Sequence, residues 1–141
     1  QPPIVSSEMQ NNILEIDADL SNAEIEAIIN AKDATSTFLL RQSEHRVRIY
    51  NRGIIENLKK LYQHRCQICG CSTQEYGTSI VEAHHILSFS ESQNNDSDNI
   101  LILCPNHHRL IHQANPAFDR TRKLFIFPNG VELQITFNLH L

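Results

Sequence analysis

No stretch of this 141-residue chain approaches the roughly 20 consecutive apolar residues that a membrane-spanning helix requires. Nothing at its start shows the charged, apolar and small-residue order of a secretory signal. Internal repeats and low-complexity tracts are also missing, which removes solenoids and disordered polar tails. Cysteine is scarce, at four residues, so a disulfide-dense scaffold is a poor fit. An initiator Met is lacking too. The chain opens on Gln1, and the expectation is a piece of a longer protein with an upstream domain. What remains is 40% hydrophobic and 20% charged, ordinary for one globular domain and too short for two independent cores. A reducing cytoplasm is the expected setting, with no membrane partner.

An overall positive charge is also lacking: the net value is −4. Divided along the chain, the picture changes. Residues 1–40 carry Glu8, Glu15, Asp17, Asp19, Glu24, Glu26 and Asp33 against Lys32 alone. Residues 41–65 carry Arg41, Arg46, Arg48, Arg52, Lys59, Lys60 and Arg65 against Glu44 and Glu56, a local +5. A ligand meets the local field, so such a segment can bind phosphate, although a solvated helix face explains the charges as well.

The cysteines and histidines cluster. Cys66-Gln67-Ile68-Cys69 is answered by Cys104-Pro105-Asn106-His107, and two such pairs can close a tetrahedron around zinc. Cys71 is left over and reads as a packing residue. His108 and His112 are four apart, hence on one face of the helix that Pro105 can open. His84 and His85 are adjacent in an extended run, so they should face opposite ways and do different jobs. One can bind a metal while the other faces a substrate.

The periodicity predicts an arm over 1–20, then a short helix from the Ser21–Glu24 capping box to about Ala31. A basic helix is predicted over 44–64, with Val47, Tyr50, Ile54, Leu58 and Leu61 as its apolar stripe. Short extended runs are expected at 78–82, 86–89 and 100–103, and a polar loop at 90–98. A hairpin over 123–137, turning at Pro128-Asn129-Gly130, closes the chain. The organisation expected is an arm (1–20), a helical basic extension (21–65) and a core (66–141).

Cys66-x-x-Cys69, Glu82-Ala83-His84-His85-Ile86, Asp98-Asn99-Ile100-Leu101 and the run from Cys104 to His112 together resemble the HNH (His-Asn-His) endonucleases. The resemblance covers roughly residues 60–115. It implies an α+β protein whose ββα-metal core is stapled by one zinc on Cys66, Cys69, Cys104 and His107. Helices would precede that core and the hairpin would follow. By resemblance His85 is the general base, and Asn99 the middle letter, holding the His strand through backbone hydrogen bonds. His84, His108 and His112 would hold a catalytic divalent cation. Many relatives have a carboxylate in that set, and three imidazoles favour Mn²⁺, Co²⁺, Ni²⁺ or Zn²⁺ over Mg²⁺. The implied activity is hydrolysis of DNA, double-stranded by expectation, with Arg48, Arg52, Lys59, Lys60 and Arg109 on phosphates. Restriction or defence is the natural setting, with an upstream DNA-recognition domain and a homodimer as expected partners. A non-catalytic zinc module that binds nucleic acid is the alternative. A cysteine hydrolase is a weaker one, since only Cys71 is left as a nucleophile.

Overall fold

The computed structural model describes residues 20–34, 37–40, 46–49 and 52–141, with 37–40, 46–49 and 89–90 as backbone only. The expected arm lies outside the described residues apart from Leu20. The protein is α+β. Among the described residues no helix is long and apolar enough to cross a membrane.

Helix α1 spans Asn22–Ile29, and the Ser21 side chain accepts from the Glu24 N–H at 3.2 Å, as an N-cap should. Strands β1 (Thr37–Leu40) and β2 (Arg46–Ile49) pair antiparallel. This corrects the single helix expected over 44–64, because helix α2 begins only at Arg52 and runs to Leu61. The cause is legible afterwards. Arg46-Val47-Arg48-Ile49 alternates with period two and carries two β-branched residues, a strand pattern that a helical reading overran. Tyr50 lies outside the described residues. The rest of the stripe behaves as a helix face, with Ile54, Ile55, Leu58 and Leu61 buried.

Strands β3 (Glu82–His85) and β4 (Ile100–Leu103) form the central antiparallel pair, with His84 opposite Leu101 and His85 opposite Ile100. The histidine pair therefore lies inside one strand rather than between two runs. Residues Phe89–Ser92, expected as extended or loop, form the single turn α3. Helix α4, Pro105–Ala114, starts with Pro105 in its first turn and stops at Asn115, which takes the left-handed conformation (φ 50°).

The expected C-terminal hairpin is present as β6 (Leu124–Ile126) and β7 (Glu132–Gln134), and β5 (Ala117–Asp119) adds a third strand on the other side of β6. In the turn only Gly130 has a positive φ (88°), so one residue supplies what both Asn129 and Gly130 were expected to share.

Strand β4 is buried on both faces and divides the core. Ile100 and Ile102 pack with Ile54, Ile55, Leu58, Leu61 and Tyr62, joined by the partly buried Ile25, Ile28 and Ile29 of α1. Leu101 and Leu103 pack with Cys66, Cys104, Ile111, Phe125 and Leu133. The N-terminal helices thus cover one face of the β3–β4 pair, and α4 with the C-terminal sheet covers the other.

Gln67 ties these layers together. Its backbone N–H donates to Ile102 O at 2.9 Å, and its Oε1 accepts from the Ile102 N–H at 2.8 Å. Its Nε2 donates to Phe137 O at 3.0 Å, while its carbonyl accepts from the Thr136 and Phe137 N–H groups. The side chain is fully buried. Gln67→Leu would fill the space and strand a buried donor at Ile102 and an acceptor at Phe137. At ~1–3 kcal/mol for each of these two groups, a loss of about 2–6 kcal/mol is expected. Denaturant unfolding measures it, and a loss under about 1 kcal/mol would contradict the bridging role.

Candidate metal and active centre

Cys66 follows α2, and the chain turns sharply after it: Gly70 N–H donates to Cys66 O at 2.8 Å, and the Ile68 N–H points at Cys66 Sγ at 3.4 Å. Gly70 has φ 72°, a conformation glycine adopts without strain. This turn places Cys69 beside Cys104, at the end of β4, and His107, in the first turn of α4. Cys69 Sγ and Cys104 Sγ lie 3.9 Å apart, Cys104 Sγ and His107 Nδ1 3.3 Å, and Cys66 Sγ and His107 Nδ1 3.7 Å. Bonds of about 2.3 Å to sulfur and 2.0 Å to nitrogen imply tetrahedral edges of about 3.5–3.8 Å. The four donors fit a metal ion.

Their electrostatics point the same way. The neighbouring Cys69 thiol and burial push Cys66 up to about 11, outweighing the His107 imidazole and the backbone N–H groups that favour the thiolate. A cation supplies what the protein does not. Cys71 is exposed and outside the set.

The second cluster is built by strand alternation and helix periodicity. His84, opposite Leu101, shares the face covered by α4, where His108 and His112 point back at it. The three imidazoles offer ligand atoms all within 4.8 Å of one another. His108 Nε2 and His112 Nε2 are 2.9 Å apart, close to the ~3.0 Å between adjacent octahedral positions for bonds of about 2.1 Å. His84 Nδ1 is buried with no hydrogen-bond partner, an orphaned polar atom that a cation would satisfy. Burial, reinforced by the imidazoles of His108, His112 and His85, lowers His84 to about 3, so it is held in the neutral, ligating form. These residues also fit a metal.

Glu82, two residues before His84 and so on the same face, accepts from His108 Nδ1 at 3.1 Å. That fixes the His108 tautomer with Nε2 toward the cluster. Sequence reasoning missed Glu82. Its signal was the even spacing from His84 along β3.

His85 lies on the opposite face, with Nε2 2.9 Å from Asn95 Oδ1. The segment that follows is held by Asn99. Its Oδ1 accepts from the Leu87 N–H at 2.8 Å, and its Nδ2 donates to Leu87 O at 3.0 Å and Asn94 O at 2.8 Å. Asn99 is wholly buried, and its backbone carbonyl also accepts from Ile86.

A cleft of about 580 Å³ opens over this centre, lined by His84, His85, His108 and His112 together with Glu91 and Asn115. A second, of about 340 Å³, runs from His85 and His108 to Arg52 and Lys59 on α2. Of the five cationic residues expected on phosphate, these two reach the site, and Lys59 is paired with Glu56 at 3.6 Å. Lys60 and Arg109 are exposed and line neither cleft, and the side chain of Arg48 lies outside the described residues.

Residues 66–119, the segment that carries this geometry, match the HNH endonucleases. Over that segment the chain is similar to that family. Over 70 residues the chain is 30% identical to the type IV methyl-directed restriction enzyme EcoKMcrA of Escherichia coli (strain K12), covering 48% of this chain and 25% of that enzyme. The chain thus spans about a quarter of the length of the curated relative it matches. No solved structure matches it. The matched segment begins at Cys66, the first of the four-donor set, and ends at Asp119 in β5, so it contains both histidine and cysteine clusters and excludes α1 and α2.

Proposed function

We propose that this protein is a metal-dependent DNA endonuclease of restriction or defence type, acting on double-stranded DNA in the cytoplasm. The observation that carries the reading is the convergence of His84, His108 and His112 beside His85 in one cleft. A structural module needs only the four-donor zinc set and leaves that second cluster without a purpose. In this reading Cys66, Cys69, Cys104 and His107 hold structural zinc. Residues 66–141 are the nuclease core, 21–65 a basic extension and 1–20 an arm.

His85 acts as general base. It takes a proton from a water molecule whose oxygen attacks phosphorus in line; the P–O3′ bond breaks and the departing 3′-oxygen takes a proton from solvent, leaving 5′-phosphate and 3′-hydroxyl ends. A divalent cation held by His84, His108 and His112 would supply charge neutralisation at the phosphate and at the departing oxygen. Asn99 keeps His85's strand end rigid, and Glu82 keeps His108 in its ligating tautomer. Arg52 and Lys59 are placed to take the neighbouring phosphates, while Arg48, Lys60 and Arg109 are proposed for flanking ones. Sequence or modification choice belongs to an upstream recognition domain, since phosphate contacts carry no base information.

Incubation with supercoiled plasmid and each divalent cation in turn tests the reading. Nicked circles are expected before linear product, because one ββα centre cuts one strand and a double-strand break needs a second protomer or a second visit. Mn²⁺, Co²⁺ or Ni²⁺ should at least equal Mg²⁺. The absence of cleavage with every cation would leave the non-catalytic, DNA-binding zinc module. Strong activity in Mg²⁺ with none in Mn²⁺ would contradict the three-imidazole ligand set.

A further inference from the structure

His85 Nε2 meets Asn95 Oδ1 at 2.9 Å, and Asn95 Nδ2 in turn donates to Asp33 Oδ2 at 2.8 Å. Asn95 is fully buried and Asp33 is 9% exposed. Asp33 lies beyond α1, outside the segment that matches the HNH family. It is clamped to the loop before β4 by several bonds. The Asp33 N–H donates to Asp96 Oδ1 at 2.9 Å, the Ser97 N–H donates to Ala31 O at 2.9 Å, and Ser97 Oγ donates to Ile29 O at 2.6 Å.

The logic of donors and acceptors runs one way along this chain of side chains. An ionised carboxylate only accepts. Asn95 must therefore turn its NH₂ group to Asp33, because the flipped amide would set two oxygens against each other. Its Oδ1 is then the atom facing His85, and an amide oxygen also only accepts. Nε2 of His85 must carry the hydrogen, which leaves Nδ1 as the basic nitrogen. A buried carboxylate two residues removed from the imidazole thus determines which of its nitrogens can take a proton. The low local dielectric strengthens each bond of the series, since polarising the amide makes Oδ1 a better acceptor.

We infer that Asp33 and Asn95 are positioning residues for the nuclease reaction: together they lock His85 in its Nε2–H tautomer, so the residues before Cys66 complete the active site. This rests on the reading of His85 as general base. It follows that the functional nuclease unit begins at α1 rather than at the first zinc-site cysteine. A basic extension that served only to hold DNA would not reach the catalytic imidazole from its buried side.

The decisive variants keep shape and change only donor order. In Asp33→Asn, residue 33 can offer either an oxygen or an NH₂ group, so it no longer requires the NH₂ group of Asn95 and both His85 tautomers become accessible. Single-turnover nicking of supercoiled plasmid in Mn²⁺ should slow by roughly 10- to 100-fold, part of the ~10²–10⁴ that a general base supplies. DNA affinity, zinc content and melting temperature should stay near wild type. Asn95→Asp alone sets two carboxylates together and should be slow as well. The double swap Asp33→Asn/Asn95→Asp restores an acceptor-only atom opposite His85 Nε2 and should recover the rate to within about tenfold of wild type.

Ring ¹⁵N shifts of histidine-labelled protein, with His85 assigned by difference against His85→Ala, read the tautomer without reference to activity. They should show Nε2–H in the wild type and in the double swap, and a mixture in Asp33→Asn. An Asp33→Asn rate within twofold of wild type overturns the inference. So does a folded double swap no faster than its single variants, or a slow Asp33→Asn with an unchanged Nε2–H signature. If His85→Ala itself cuts at the wild-type rate, the general-base reading fails and this inference falls with it. If only His85→Ala is inactive, the inference alone fails.

Discussion

Replacing His85 with Ala is expected to reduce strand cleavage by about 10²–10⁴-fold while leaving zinc content, fold and DNA affinity nearly intact. The physical case is a separation of duties around β3. The segment after His85 is held by the Asn99 side chain, which accepts from the Leu87 N–H and donates to Leu87 O and Asn94 O, rather than by the imidazole. His85 is only half buried, so its removal opens no large cavity. The candidate cation ligands His84, His108 and His112 lie across the strand, so a cation held there should be retained. The loss should therefore appear in turnover rather than in binding, the pattern of an interaction made only in the transition state. His112→Ala makes the contrast, since it should lose bound divalent cation along with activity. Near wild-type cutting by His85→Ala, with metal and substrate bound, would show that another group takes the proton.

Much of this centre was legible in the chain because its signals are local. Cys-x-x-Cys, Cys-x-x-His and the His108–His112 spacing each sit within one turn of backbone, where covalent geometry dictates what meets what. The opposite facing of His84 and His85 followed from the two-residue period of a strand, and the register of β3 against β4 carries that division through to the packing. What escaped was long-range. Asp33 and Asn95 are 62 residues apart in sequence, and nothing local to either points to the other. Gln67 looked like a spacer between two cysteines, although its side chain reaches β4 and the C-terminal strand. The strand at Arg46–Ile49 was hidden because its alternation runs directly into a helical stripe, and the longer pattern absorbed the shorter. Strand β5 has three residues, too few for periodicity to register.

Cys66→Ser or Cys104→Ser is expected to unfold or aggregate the protein. Serine is close in volume to cysteine, so packing changes little, and what disappears is a ligand. Both sulfurs lie inside the core cluster that joins β4, α4 and the C-terminal sheet, so the proposed zinc is a core element rather than a surface clip. Structural zinc contributes an apparent ~10–16 kcal/mol in small domains. Total stability is typically about 5–15 kcal/mol, so losing much of that contribution leaves little margin. The sign of the pH effect follows from the thiols. Without a cation, Cys66 is pushed up to about 11 and is protonated at neutral pH, so zinc uptake must expel protons. Binding therefore weakens as pH falls, and a chelator should unfold the protein faster at pH 6 than at pH 8. Metal analysis should find one tightly held zinc per chain, plus a second exchangeable ion that His112→Ala removes and the cysteine variants do not selectively affect. Calorimetry of chelator-treated protein is the decisive measurement. A zinc-free chain that melts cooperatively at the wild-type temperature would show that the four donors are not a structural metal site, and that the hydrophobic core around β4 suffices without it.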